Sequence, residues 1–206
     1  DPSWTEPGYD GSLWEVGQAE LGYGDGDETS VVAYGSNSAN KHITTWFRSP
    51  LVVDGAATIT AAELRIVRDD GVIAYLDGLE VFRDNLPPGP ILPSTRASVA
   101  ISGADEGAWQ IGSVPAALLG PGNHVLTVEM HQVNPTSSDL SFNAELEVTE
   151  TIFSPVIRVQ PESQSVAVGD TARFQVVAEG TPPLSYQWRF NGQTIAGATQ
   201  PDLDYP

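Results

Sequence analysis

The stretch Leu64-Arg-Ile-Val-Arg-Asp-Asp-Gly-Val-Ile-Ala-Tyr-Leu-Asp-Gly-Leu-Glu-Val-Phe-Arg83 decides the fold class. Its apolar residues come in short runs, and two Asp-Gly steps, Asp70-Gly71 and Asp77-Gly78, break them. Glycine accepts positive φ without a Cβ clash, so each step reads as a turn between strands and not as part of a helix. Strands are predicted at 63–68, 72–76 and 79–83. Working outward, Leu140, Phe142, Ala144, Leu146 and Val148 alternate with Ser141, Asn143, Glu145 and Glu147, the pattern of a strand with one core face and one wet face. From His124 to His131 the same period sets Leu126, Val128 and Met130 against Val125, Thr127, Glu129 and His131. Further strands are expected at 30–34, 43–48, 96–101 and 107–112. Asn85–Pro93 carries four prolines, which cannot donate to a ladder, and reads as an irregular loop. No stretch shows a helical period, and the short strands together predict an all-β sandwich.

Composition bounds the function. The 206 residues include 20 Gly, 16 Pro and no Cys, so disulfides, thiolate metal sites and cysteine nucleophiles are excluded. Lys and Arg number 9 against 27 Asp and Glu, a net charge of -18 that repels phosphate backbones and anionic lipid headgroups. Nucleic acid and membrane insertion are therefore not expected, and no apolar run approaches the roughly 18 residues of a membrane span. The start, Asp1-Pro2-Ser3-Trp4, has neither a basic nor an apolar leader and reads as a mature or trimmed segment. An excess of carboxylates suits hard divalent cations, calcium above all, and neutral ligands such as sugars.

The charge changes along the chain. Residues 1–154 hold 22 acidic and 6 basic residues, whereas 155–206 hold 5 and 3. Thr151-Ile-Phe-Ser-Pro155 punctuates the change, so the expected organisation is a first domain over 1–150, a linker over 151–155 and a second domain over 156–206. In the second, strands are predicted at 156–160, 165–168, 172–178 and 185–190, with Asn191-Gly192 as a turn.

Several stretches of the first domain carry a resemblance. They are Tyr9-Asp-Gly-Ser-Leu-Trp14, Leu21-Gly-Tyr-Gly-Asp-Gly-Asp-Glu28, Ile43-Thr-Thr-Trp-Phe-Arg48, Arg68-Asp-Asp-Gly-Val-Ile-Ala-Tyr-Leu-Asp-Gly78, Gly122-Asn-His-Val-Leu-Thr-Val-Glu-Met-His131 and Ser137-Ser-Asp-Leu-Ser-Phe142. Over residues 4–148 the chain resembles a galactose-binding-like jelly-roll module of bacterial secreted and cell-surface proteins. The resemblance implies a non-catalytic sandwich with carbohydrate binding frequent in the wider fold. Residues 155–206 resemble a bacterial immunoglobulin-like domain, on Pro161, Gly169-Asp170 and Pro182-Pro-Leu-Ser-Tyr-Gln-Trp188. The resemblance implies that Trp188 fills the space between sheets, and the domain reads as incomplete because residues for its last strands are missing.

The candidate residues follow from chemistry. Asp25, Asp27 and Glu28 place three carboxylates on a glycine-rich loop able to converge on Ca²⁺, and Asp69-Asp70 is a second candidate pair. That pair is similar to the paired-aspartate loop with which some sugar-binding adhesive domains hold calcium, although a tight turn accounts for the same letters. A third cluster joins Glu129 and His131 to Asp139 across the loop containing Pro135, as a loop-pinning network or as ligand contacts. Among the aromatics, Trp4 and Trp109 sit in Pro, Gly and acidic surroundings and are the expected accessible platforms for a sugar ring. Trp46 and Phe47 are adjacent in one strand and must face opposite sides. No nucleophile elbow or acid/base pair stands out, so no enzyme is expected.

The expected function is therefore an extracellular or cell-surface bacterial binding module, calcium-stabilised, with a glycan as ligand. The alternative is structural: a spacer or filament or surface-layer subunit whose partners are neighbouring extracellular protein subunits, joined by sandwich contacts or strand addition.

Overall fold

A computed structural model of the chain describes residues 2–55 and 57–206. Nearly all of its regular structure is β, and it divides into two compact units, one of residues up to Gly55 with Ile59–Thr149 and one of Glu150–Pro206 with the short segment before Ile59.

The N-terminal unit is two facing sheets. One holds β1 (Leu21–Tyr23), β2 (Ser30–Val31), β4 (Thr58–Arg68), β7 (Trp109–Val114) and β9 (Leu140–Thr151), in the order β2-β1-β9-β4-β7. The other holds β3 (Thr44–Val53), β5 (Gly71–Leu76), β6 (Leu79–Asp84) and β8 (Gly122–His131), in the order β3-β8-β5-β6. The alternation read from the sequence fills the space between them: Leu64 and Ile66 from β4, Val72, Ala74 and Leu76 from β5, Val128 and Met130 from β8, Leu140 and Phe142 from β9 are all buried. Phe47 joins this core by stacking on Phe142 at 4.3 Å between centroids, while its neighbour Trp46 faces the other way and is 41% exposed. Pro50 is tolerated inside β3 because β3 is an edge strand, paired only with β8.

The two Asp-Gly steps behave differently. Asp77-Gly78, at φ 50° and 81°, closes the β5–β6 hairpin with Leu76 opposite Leu79. Asp70-Gly71 is not a hairpin. β4 and β5 belong to different sheets, so the chain crosses from one layer to the other at Asp69-Asp70.

The second face of β8 is closed as well. Val125, Thr127, Glu129 and His131 are all buried, since residues from the N-terminal segment and the loop after β6 lie over this face. Arg48 holds the N-terminal segment by donating to the carbonyls of Trp4 and Pro7 at 3.2 Å and Tyr9 at 3.4 Å. Residues 96–101 form no strand. Their donors are taken instead by Asn85 and Asp70, through Ser98 N to Asn85 O, Val99 N to Asn85 Oδ1 and Ile101 N to Asp70 Oδ1.

The C-terminal unit pairs its strands in twos: β10 (Val156–Val159) with β12 (Val177–Glu179), β11 (Ala172–Gln175) with β15 (Asp202–Tyr205), and β13 (Arg189–Phe190) with β14 (Gln193–Thr194). Residues 165–168 form no strand, and Val168 is fully exposed.

Candidate functional site

Register brings three acidic segments of the N-terminal unit to one end of the sandwich. β1 pairs antiparallel with β9, Tyr23 opposite Leu140, so the loop leaving β1 and the loop entering β9 emerge side by side. Gly24, at φ +115°, sits so close to Asp139 that any side chain there would run into it. The Asp69-Asp70 crossing reaches the same place, because the Asp69 carboxyl lies against those of Asp70 and Asp139.

Asp69 and Asp70 are both 1% exposed, yet their surroundings differ. Their peptide bond is cis. Asp70 is fully used: Oδ1 accepts from Ile101 N at 2.7 Å, Oδ2 from Val133 N at 2.8 Å, and its carbonyl from Asn85 Nδ2 at 3.2 Å. It ties the loop after β6 and the loop after β8 to the crossing. Asp69 Oδ2 has no donor at all. Burial first, then the charges of Asp70 and Asp139, push the Asp69 carboxyl up to about 9. Beside them Gln132, also 1% exposed, donates from Nε2 to Asp139 O at 2.7 Å and to the Tyr23 hydroxyl at 3.3 Å, leaving its Oε1 without a partner. Burial, then Asp69, push the Tyr23 hydroxyl up to about 12.

In the Asp25-Gly26-Asp27-Glu28 loop, one ligand atom from each of the three acids lies within 4.8 Å of the others. Two of these carboxylates already have donors. Glu28 accepts from the main-chain N–H of Asp25 and Gly26, both at 3.0 Å, and Asp25 Oδ2 accepts from Ser141 Oγ at 2.9 Å; hydrogen bonding from its own main-chain N–H first, then from those of Asp25 and Gly26, lowers the Glu28 pKa. The loop is capped by its own acid as it stands. Lys41 closes the end from the side, donating to the carbonyls of Ser137 and Ser138 and lying about 5.4 Å and 5.5 Å from the ring centroids of Tyr23 and Tyr34.

The other expected residues fall elsewhere. His131 is wholly buried. Its Nδ1 meets Thr95 O at 2.8 Å and Thr44 Oγ1 at 3.0 Å, so Nδ1 carries the proton toward the Thr95 carbonyl. Nε2 lies 3.2 Å from Glu129 Oε2, in ion-pair range but outside hydrogen-bond geometry. The Glu129–His131 contact thus sits under the covered face of β8, apart from Asp139, and offers nothing to a ligand from solvent. Trp4 is half-buried, stacked on Trp14 at 6.0 Å and edge-on to Tyr75 at 6.5 Å. Trp109 is half-buried with the Arg65 guanidinium 5.0 Å over its ring, so one of its faces is occupied. Neither joins the acidic end through a recorded ring or hydrogen-bond contact. Gln132 and Lys41 were not singled out as site residues. A polar residue directly after a strand and a lone lysine carry no spacing signal, and only the fold sets them beside Asp139.

In the C-terminal unit, Trp188 packs at 6.2 Å from Phe174, and its indole N–H donates to Gln200 O at 2.8 Å. Residues 154–204 match the family model for the immunoglobulin domain. The chain thus carries an immunoglobulin-like domain near its C-terminus, in which Trp188 is half-buried. No solved structure matches the chain.

Proposed function

We propose that the N-terminal unit is a non-catalytic binding module of jelly-roll type from an extracellular or cell-surface protein, stabilised by calcium and directed at a neutral glycan. One observation carries the reading: Asp69 Oδ2 is enclosed among carboxylates with no hydrogen-bond donor. With its carboxyl pushed up to about 9, Asp69 is neutralised near neutral pH by a proton, and a cation among the acidic oxygens would displace that proton and take over the neutralisation. The donors present are all oxygen, from Asp69, Asp139 and the free Oε1 of Gln132, with the Asp70 oxygens held by Ile101 N and Val133 N, which fits calcium and not a metal that prefers nitrogen or sulfur. Asp25, Asp27 and Glu28 on the adjoining loop extend the negative field, which favours an uncharged ligand over an anionic one. Glycan hydroxyls can complete the coordination of a hard cation and accept or donate to the same carboxylates.

Thermal melting separates the parts of this reading. Calcium at about a hundred times its dissociation constant should add about 2.7 kcal/mol relative to chelator, and Asp69→Asn should abolish that increment while Asp25→Asn keeps most of it. An unchanged midpoint in calcium removes the metal. A neutral-glycan array with and without chelator then tests the ligand, and absence of calcium-dependent retention of every sugar overturns the glycan.

A further inference from the structure

The covered face of β8 in the N-terminal unit has two covers, and they are fastened differently. Over the His131 end, the loop after β6 is stitched down through its main chain: Ala97 N donates to Gln132 O at 3.2 Å, Ser98 N to Asn85 O at 2.9 Å and Ile101 N to Asp70 Oδ1 at 2.7 Å. Over the Thr127 end lies the segment 3–14, and its own N–H groups turn inward. Glu6 N donates to Ser3 O at 3.0 Å, Tyr9 N to Glu6 O at 3.2 Å, Ser12 N to Asp10 Oδ1 at 3.0 Å and Trp14 N to Gly11 O at 3.0 Å. Among the described residues no main-chain group of 6–14 bonds to the main chain of a strand. What reaches the segment from β3 is one side chain, Arg48, which donates to the carbonyls of Trp4, Pro7 and Tyr9 and lies 5.7 Å over the Tyr9 ring. The rings of the segment pack on one another, Trp4 on Trp14 at 6.0 Å and Tyr9 against Trp14 at 6.1 Å, with Trp4 meeting Tyr75 of β5 edge-on.

We infer that residues 3–14 are a strap that lifts from β8 as one unit when Arg48 lets go, turning Thr127, Tyr75 and Glu129 from buried to solvent-facing while the sandwich stays folded. Register sets what lies beneath: Thr127 stands between Arg48 and Tyr75, and Glu129, next on the same face, between Trp46 and Ile73. Thr127 is 0% exposed and Glu129 8%. A permanent cover would sit on apolar groups, and this one sits on polar groups that it leaves poorly served. Thr127 Oγ1 has the Tyr75 carbonyl at 3.5 Å, the outer limit of a hydrogen bond, and Glu129 Oε2 lies 3.2 Å from His131 Nε2 outside hydrogen-bond geometry. Water admitted to these groups offsets part of what the buried rings contribute, which keeps the open state within reach of the closed one. The chain also has a place to bend. Glu15 and Val16 are exposed, and Gln18 N, held by Ser30 Oγ at 2.8 Å, marks where it is fixed again. Lifting the strap extends a hydrogen-bonding face from Trp46, which is already 41% exposed. The device concerns the face of β8 and not the acidic end, and it stands independently of the calcium and glycan reading.

The chain has no cysteine, so single cysteines report the opening. Thr127→Cys and Val128→Cys put a thiol on adjacent residues of β8, one under the strap and one between the sheets, where Val128 is 2% exposed. Iodoacetamide, with each rate scaled to that of the same variant unfolded in urea, should label the first about tenfold faster or more than the second in the folded protein. Adding Arg48→Lys should speed the first about tenfold further and leave the second unchanged. Equal labelling of the two thiols, or an Arg48→Lys change that speeds both alike or neither, overturns the inference. Hydrogen exchange of the unsubstituted chain serves where a variant fails to fold. The amides of Glu6, Tyr9, Ser12 and Trp14 should share one opening free energy below that of β8, and scattered values, or values equal to those of β8, overturn it as well.

Discussion

Asp70→Ala should destabilise the N-terminal unit more than any other single change at its acidic end. The residue is 1% exposed and its two carboxylate oxygens accept from Ile101 N at 2.7 Å and Val133 N at 2.8 Å. Hydrogen bonds to a charged acceptor contribute about 1.5–3 kcal/mol each, and alanine leaves both N–H groups facing a void too small to hydrate them well. The expected loss is about 3–5 kcal/mol, a large part of the 5–15 kcal/mol that holds a typical domain. Asp70→Asn keeps one acceptor and turns an amide N–H against the other donor, so it should lose about half as much. The assay is urea unfolding followed by tryptophan fluorescence, in chelator so that no bound cation enters, reading the midpoint at constant slope. Asp69→Asn provides the internal contrast. It replaces a carboxyl whose Oδ2 has no donor and which lies against two acids, and so should raise the midpoint in the same buffer. A loss below about 1 kcal/mol for Asp70→Ala, or a lowered midpoint for Asp69→Asn, would refute the assignment of opposite roles to the adjacent pair.

Two further outcomes follow from the same unit. The carbonyl of Gly120, at 2.6 Å from Nε2, and then the carboxylate of Asp77, at 2.5 Å from Nδ1, raise the His124 pKa above its ordinary 6.5. Its contribution to stability is therefore complete below about pH 6.5 and is lost as pH rises through the folded value, so unfolding midpoints should fall across neutral pH in the wild type and show no such step in His124→Gln; parallel curves would refute this. Arg48→Lys gives up the fork that reaches the carbonyls of Trp4, Pro7 and Tyr9, and should speed amide exchange over residues 4–14 at least tenfold while leaving β8 protected, whereas unchanged exchange would show that the segment is held by its aromatic contacts alone.

How far the sequence could be read depended on where each backbone group finds its partner. The alternation at Leu140–Val148 and His124–His131 is local, and it survives in β9 and β8, with Leu140, Phe142, Leu126, Val128 and Met130 buried and Val148, toward the far end of β9, 43% exposed. Asp77-Gly78 is legible for the same reason, since a two-residue turn is decided by its own φ angles. Asp70-Gly71 has identical letters and a different fate, set by distant pairing: β4 takes β9 and β7 as neighbours, β5 takes β8 and β6. The apolar run at 96–101 looked like a strand, but Asn85 and Asp70 intercept its donors. β1 escaped notice because Leu21-Gly-Tyr23 has too little pattern, and only its register with β9 makes it a strand. At the acidic end the carboxylates were readable as types, whereas the division of labour between Asp69 and Asp70 needed the third dimension. His131 stood next to Asp139 in sequence logic and lies under the covered face of β8 in the fold, because its place in the alternation turns it toward Thr44 and the Thr95 carbonyl of the loop after β6.

On the calcium reading proposed above, a cation at this end would come from outside, because the chain's few positive charges are engaged elsewhere. With 9 basic residues against 27 acidic ones, the placement of each is informative. Arg65 serves Glu145 and Glu147, Arg68 serves Asp84, Arg83 serves Glu80, and His124 serves Asp77. Among the described residues no ion pair reaches Asp25, Asp27, Glu28, Asp69, Asp70 or Asp139. Lys41, the chain's single lysine, is beside them, yet its ammonium is directed at the carbonyls of Ser137 and Ser138 and the rings of Tyr23 and Tyr34. It braces the loop and leaves the carboxylates uncompensated. An ammonium tethered by a flexible stem could have been placed on Asp139 at little cost, and doing so would have neutralised the end permanently. On the calcium reading proposed above, these loops would tighten around a solvent cation, so Lys41→Met should loosen residues 132–139 in calcium and in chelator alike, without removing the difference between the two.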